Sequence, residues 1–600
     1  MPRRRTTRNI RIAIRIAIVS GVALVAVIAF AAGWVTLRVQ PVRADLTHAT
    51  QLLRDLERQL GAGDTDGARA TVEELGRQAR TIRSTTDSID WRLASRLPGP
   101  GANLAAVRVV AQILDHLSSQ AMPAVVELAG TAKIDNLLPR QGRLDLTALE
   151  SAEPALSQAD TAVRRCLELL RTIDIDGLRP EVRAGMVQLR DGLTRLGGIV
   201  GAAARASAVL PSMLGAHGPR TILVLFQNPA ELRATGGMPG AFIVVRAEGG
   251  TLRLVDEGTA SSAIRSFPTS VLPLTDEQLG LYTDKMGRYP ANVNLTPHFP
   301  TAAALAAEMY YRRSGATVDI VVATDPIALS YLLGVTGPVT VPSGPTLTAD
   351  NAVRVLLSEI YATMDARTQD RYFLDVARAV FDKLTHGVAD PSAFLAALSR
   401  ASGERRLLVW STHQREQEVL AETVLAGSLP EDDPGTPTIG IYFNDGTGAK
   451  LDYYLTGSAQ VTPGGCYPDG RRVLKLRLEL TSTAPSTGLT RSVTGLALAG
   501  DPYTMRTNVL VASPTRGALV SMSLDEVETP FGQGVEQGRA IGVVTVDIAP
   551  GQTRVVTIDV LTRVNTEGTA LALTPMLQIT PGVNPWTIQS EPTQTCTSRN

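Results

Sequence analysis

The chain has 600 residues, with 58 basic and 58 acidic side chains and so no formal net charge. That balance, without a basic stripe interleaved with aromatics beyond the first residues, argues against a nucleic-acid partner. The length allows several hydrophobic cores, and the wealth of Ala, Val, Leu and Arg beside 4% aromatics resembles high-GC, actinobacteria-like proteins.

In chain order, residues 1–15 form a basic tail with Arg3, Arg4, Arg5, Arg8, Arg11 and Arg15. Residues 16–37 carry no charge and are almost wholly apolar. About 22 such residues at about 1.5 Å rise span a bilayer core. The run is longer than the apolar core of a cleaved signal peptide, although Ala31-Ala32-Gly33 is small enough to be a cleavage site. The expectation is an uncleaved single-pass anchor. Arginines before the span place the N-terminus in the cytoplasm and the body outside.

Residues 42–210 read as a helical array. Leu46, Leu52, Leu53, Leu56 and Leu60 recur at helical spacing. Asp66 is the expected N-cap of a helix from Ala68 to about Leu93. Further helices are expected from Asn103 to about Ala121, Leu144 to about Thr172, and Pro180 to about Leu210. Plain structural helices and a stalk or sensor both remain open.

Residues 215–428 alternate strands and helices, which predicts a central α/β domain on a mixed or parallel sheet. Strands are expected at Thr221–Phe226, Ala241–Arg246, Asp319–Thr324 and Val339–Val341. Helices are expected at Phe299–Arg313, Pro326–Leu333, Ala349–Tyr361, Thr368–Leu384 and Pro391–Arg400. Residues 435–600 change character. Val473–Leu480 alternates strictly, and Ile541–Ile548 and Arg554–Leu561 behave alike. Such runs between turn residues predict a C-terminal immunoglobulin-like β-sandwich.

The first expected strand runs into Asn228-Pro229-Ala230-Glu231-Leu232-Arg233-Ala234-Thr235-Gly236-Gly237. Arginine offers a planar fork of donors suited to phosphate. Adjacent glycines permit positive φ or close approach of backbone to a ligand. A Gly-Gly hairpin with an outward salt bridge is the alternative. Candidate ligand-binding residues are Asn228, Glu231, Thr235, Gly236 and Gly237, with Asn294 and His298 from the loop before the next helix. A lone histidine there is more often structural. Asp325-Pro326 reads most simply as a helix cap.

Cys166, Cys466 and Cys596 are the three cysteines. Cys466 and Cys596 both fall in the β-rich part and are candidates to pair in an oxidising exterior. Cys166 falls in a helical pattern and is expected to be a buried small residue. No Cys/His spacing suggests zinc. No Gly-x-Ser-x-Gly elbow or Walker loop suggests a serine hydrolase or nucleotide hydrolase.

The Asn228–Gly237 stretch, with Asn294–Pro300, Val318–Pro326 and Leu332–Val339, resembles the signature of the DUF4012 family of bacterial envelope proteins over about residues 45–600. The middle domain is also similar, distantly, to the LytR-CpsA-Psr phosphotransferases. That resemblance implies an external α/β domain acting on polyprenyl-pyrophosphate-linked glycopolymers. It matches Arg233 to the loop arginine and Arg371 to a pyrophosphate-gripping arginine, with Arg367 nearby. It implies magnesium if the protein is catalytic, with Glu231, Asp256 or Asp370 as replacement ligands. The chain departs from the pattern: Ala234-Thr235 stands where the enzymes have Ser-Asp, and Tyr372 where they have Gln. Whether the protein is an enzyme therefore stays open. The functional expectation is an envelope-assembly protein that binds a polyprenyl-phosphate lipid or wall glycopolymer. The alternative is a non-catalytic scaffold that engages other envelope proteins.

Overall fold

The structure, a computed structural model, describes residues 64–97, 101–123, 143–387, 389–429, 436–566 and 572–597, position 126, and scattered positions between 48 and 59. The basic tail and the expected anchor lie outside the described residues. The chain divides into two compact units: residues 1–133 with 147–208, and residues 134–146 with 209–600.

The first unit is helical, as expected. Numbering only the longer helices, it holds α1 (Thr65–Thr86), α2 (Ile89–Ala94), α3 (Gly101–His116), α4 (Leu146–Arg171) and most of α5 (Pro180–Met213). Its interior pairs small and branched residues, among them Ala106, Ile113, Ala159, Val163 and Leu193. A neighbouring cluster gathers Leu75, Ile82 and Trp91. Trp91 satisfies its indole by donating to the Leu104 carbonyl at 3.2 Å. Two local expectations are corrected. The N-cap of α1 is Asp64, which accepts from Gly67 N at 2.9 Å, while Asp66 sits in the first turn, where a carboxylate complements the helix dipole. The helix expected to reach Leu93 breaks at Ser88, whose extended backbone starts α2. Among the described residues one helix, α5, is long and apolar enough to cross a membrane. It also carries Arg183, Arg190, Asp191, Arg195 and Arg205, and it buries Met186, Leu193 and Val200 in the helical core.

The second unit contains both the α/β segment and the β-rich segment. A five-stranded mixed sheet has the order β3-β2-β1-β4-β5. Its strands are β1 (Arg220–Asn228), β2 (Met238–Glu248), β3 (Thr251–Thr259), β4 (Ile320–Thr324) and β5 (Leu407–Ser411). Only the β1–β4 pair is parallel. The helices are α6 (Asp276–Tyr282), α7 (Phe299–Ser314), α8 (Pro326–Thr336), α9 (Ala366–Thr385), α10 (Pro391–Gly403) and α11 (Gln414–Ala421). Alternation along β1 splits its side chains between the two faces. Leu223 and Leu225 join a core with Phe299, Leu305 and Met309 of α7. Ile222, Val224 and Phe226 face the other way.

Three details depart from expectation. Val339 makes only an isolated bridge to Leu347. The helix expected over Ala349–Tyr361 is interrupted by a π-turn at Val355–Glu359. Strands β3 and β5 were not anticipated: β3 is a charged edge strand, exposed at Val255, and β5 is only five residues long.

The β-rich segment forms two larger sheets. One is six-stranded and centred on β14 (Thr553–Leu561), β8 (Arg472–Ser482) and β7 (Leu455–Cys466). The other is five-stranded and centred on β13 (Arg539–Ile548), β9 (Met505–Ala512) and β6 (Thr438–Asp445). Leu476, Leu478, Val509, Val546 and Ile558 from both sheets share one core. That same core takes in Leu232, Tyr361, Tyr372 and Val376 from the α/β segment, so the boundary expected at 428–435 falls inside one unit.

Cys466 and Cys596 are disulfide-bonded across a sequence separation of 130, and Cys166 is free and buried. Burial pushes the Cys166 thiol up to about 12, which makes it inert. Denatured without reductant, the protein should therefore expose one thiol to a maleimide, and three after reduction. Replacing both Cys466 and Cys596 by Ser should lower stability by about 2–4 kcal/mol in urea unfolding.

Candidate functional site

The candidate site is an apolar cavity of about 490 Å³ under the central sheet, inside the ~300–1,000 Å³ span of ligand sites. Its roof is the face of β1 and β2 that carries Ile222, Val224, Phe226, Ile243 and Val245. Its floor is α9. Phe373, Val376, Ala377, Val380, Phe381 and Leu384 recur at three- and four-residue steps, so they share one helical stripe. Leu329 and Leu332 of α8 and Leu398 of α10 close the side.

Polar groups gather at one end, where β1 runs into the Asn228–Gly237 loop. Gln227, Asn228, Tyr361, Gln369, Asp370 and Lys450 all line the cavity there. Asn228 Nδ2 donates to Tyr361 Oη at 2.6 Å, and Asn228 Oδ1 accepts from Ala230 N at 3.0 Å. Burial drives the Tyr361 phenol well above its ordinary value. Gln369 is spent on the Met364 carbonyl at 2.7 Å. Burial also raises the Asp370 carboxyl. Asp325 caps α8 through Ala328 N at 2.8 Å, as expected, and pairs with Arg406 at 2.7 Å.

The loop itself is no open ligand cradle: every residue from Gln227 to Gly237 is buried. Arg233 donates to Glu231 Oε1 and to the Leu232 carbonyl, both at 2.8 Å, and lies 3.9 Å from Asp445 Oδ2. Lys450 Nζ reaches Glu231 Oε2 at 3.3 Å. Asp452 accepts from Leu232 N at 2.8 Å. Burial pushes Asp445 up to about 6, and burial together with Asp445 pushes Asp452 well above the usual carboxylate range. Arg233 and Lys450 thus face Glu231 and Asp445, and Arg233 is paired from within.

The glycine pair serves packing. Gly236 has φ +136°, and a Cβ there would stand 2.3 Å from Gln227 Oε1. A Cβ on Gly237 would meet the Asn228 backbone at 2.4 Å. Asn294, fully buried, donates to the Gly237 carbonyl at 3.0 Å. Thr235 is buried as well. His298 is the N-cap residue of α7, bonds Thr301 Oγ1 at 3.0 Å, and is pushed down to about 4 by burial. These residues hold the loop, and only Asn228 among them reaches the cavity.

The arginine clamp is corrected. Neither Arg233 nor Arg371 lines the cavity, and Arg367 and Arg371 are exposed. The helical phase explains this: Asp370 and Phe373 face inward, so the arginines one turn apart at 367 and 371 point to solvent. The magnesium residues do not assemble either. Glu231 is held by Arg233 and Lys450, Asp256 accepts from Tyr310 at 2.7 Å, and Asp370 stands apart. Among the described residues no group of three or more His, Cys, Asp or Glu could hold a metal ion. Sequence reasoning missed Lys450 and Tyr361. Lys450 comes from a turn 219 residues beyond Glu231, with no local signal.

The fold and site thus define an α/β domain merged with a β-rich region around a partly open apolar chamber. Residues 217–361 match the family described as "Protein of unknown function (DUF4012)", so the chain carries a DUF4012 domain. No curated protein matches the chain. Among solved structures it is similar to the "transcriptional regulator yvhJ from Bacillus subtilis" at 12% identity and a TM-score of 0.20. That match covers 34% of this chain and 76% of the other, and it is too weak to carry an argument.

Removing Arg233 strands buried carboxylates. Arg233→Ala should cost about 3–5 kcal/mol in chemical denaturation, whereas Arg371→Ala should change stability by less than about 0.5 kcal/mol. Equal effects from the two would contradict the structural assignment of Arg233.

Proposed function

We propose that this is a membrane-anchored, extracytoplasmic protein of cell-envelope assembly that binds a polyprenyl-(pyro)phosphate-linked glycan or wall polymer by its lipid chain. The observation that carries the reading is the cavity between sheet and α9, apolar along its length and polar at one end. Apolar walls of this kind favour a hydrocarbon occupant over water. The Cys466–Cys596 bond supports an oxidising compartment outside the cytoplasm. The arginine-flanked apolar run at residues 16–37 supports a single-pass anchor with a cytoplasmic N-terminus.

The distant likeness to LytR-CpsA-Psr phosphotransferases belongs to this reading, since a chamber between sheet and helices is what it implies. The likeness does not extend to transfer. Arg233 is enclosed by its own ion pairs, and the magnesium residues do not converge. The protein is therefore read as a carrier or presenter, and no catalytic step is derived. A scaffold function beside it is favoured by one observation: Leu496 and Leu498 stand 67% and 55% exposed on the β-rich segment, whose paired sheets we read as an immunoglobulin-like β-sandwich suited to contact with envelope proteins.

The test is mass spectrometry of lipids extracted with the purified full-length protein. Polyprenyl phosphates should accompany the parent and fall at least about tenfold in Ala377→Trp and Leu332→Trp, which fill the chamber from its floor and its side. Each variant should remain folded, because overpacking costs about 1–3 kcal/mol. No polyprenyl lipid with the parent, or equal amounts in all three proteins, would overturn the reading.

A further inference from the structure

The polar end of the cavity holds more hydrogen-bond donors than the protein uses. Gln227 is 4% exposed and its Nε2 has no partner. Its Oε1 is turned toward Gly236, and the residue lines the cavity. Tyr361 Oη accepts from Asn228, and the described residues offer no acceptor for its own proton. Lys450 carries three donors, and one carboxylate oxygen, Glu231 Oε2, is its ion-pair partner. Its ammonium also sits 5.1 Å from the centre of the Tyr361 ring. These donors come from three places: the end of β1, the π-distorted helix before α9, and the turn after β6.

Buried donors without acceptors are costly, and clustered donors beside one cation suit an oxygen anion. The geometry points to a head-group site in which Gln227, Tyr361 and Lys450 together hold a single oxyanion, a phosphate monoester or a carboxylate, on one long-chain lipid. This rests on the lipid reading above and deepens it. A pyrophosphate fits worse, because the two arginines that would neutralise its second charge are enclosed or exposed. The acid on the cavity wall is Asp370, whose carboxyl burial raises.

The test is calorimetric titration of the detergent-solubilised full chain with four probes: farnesyl phosphate, farnesyl pyrophosphate, farnesol and palmitate. One charge-assisted head contact should make farnesyl phosphate or palmitate bind about tenfold or more tightly than farnesol. Farnesyl phosphate over palmitate would assign a phosphate head, and the converse a carboxylate. Lys450→Met should bring the preferred oxyanion to the level of farnesol while farnesol binding stays unchanged. Glu231→Gln/Lys450→Met should do the same with the local charge rebalanced, which separates loss of the head contact from loss of fold. Gln227→Met should weaken the oxyanion severalfold and leave farnesol alone. Equal binding of farnesol and the oxyanions, or tighter pyrophosphate binding that Lys450→Met leaves intact, overturns the head-group assignment but keeps the lipid chamber. If none of the four probes binds, the chamber reading fails as well.

Discussion

The second unit depends on a buried ionic knot. Glu231, Arg233, Asp445, Asp452 and Lys450 lie within one network, with Glu231, Arg233 and Asp452 buried. The Asn228–Gly237 loop has few sheet partners for its backbone, so distant side chains supply them. Asp452 takes Leu232 N, Asn444 takes Ala234 N, and Thr580 donates to the Ala234 carbonyl. Buried peptide groups must be satisfied somehow, and here the satisfaction joins the end of β1 to β6 and its following turn. A buried ion network is weak evidence for stability in itself. Its effect here is register: it fixes one arrangement of the two sheet systems.

That arrangement creates the chamber. The alternation of β1 sends Leu223 and Leu225 into a filled core against α7, and Ile222, Val224 and Phe226 into the space above α9. Helix α9 has a second task, since Tyr372 and Val376 also belong to the core shared with the β-rich sheets. Tyr372 is anchored through its hydroxyl to the Pro345 carbonyl at 2.8 Å. The helix is thereby held at the edge of the cavity instead of collapsing into it. The knot closes the polar end and delivers Lys450 there. The chamber is thus a consequence of how two sheet systems are fastened, and the signature loop acts as fastener.

Periodicity made most of the secondary structure legible. The helices at Phe299, Pro326, Pro391 and Thr368, and the strands at Thr221 and Ala241, lie within a few residues of where apolar spacing puts them. The free Cys166 was legible from its helical setting. The site was less so. Arg233 reads locally as a solvent- or ligand-facing residue, because Asp445 and Lys450, which complete the network around it and Glu231, lie more than two hundred positions away. The glycine pair reads as a ligand loop for the same reason: what crowds Gly236 is the Gln227 side chain, visible only once folded. Arg371 is different. The stripe Asp370, Phe373, Val376, Ala377 and Val380 was in the sequence and already placed 371 off the apolar face. There a motif match outweighed helical phase, and phase was the better guide.

The most direct test is a structure of the protein extracted from its host in mild detergent, at a resolution that shows bound lipid. This account predicts elongated density running along Ile222, Val224, Phe373 and Val380, with its polar end at Gln227 and Lys450. A chamber filled by repacked side chains, or holding only solvent, would contradict it.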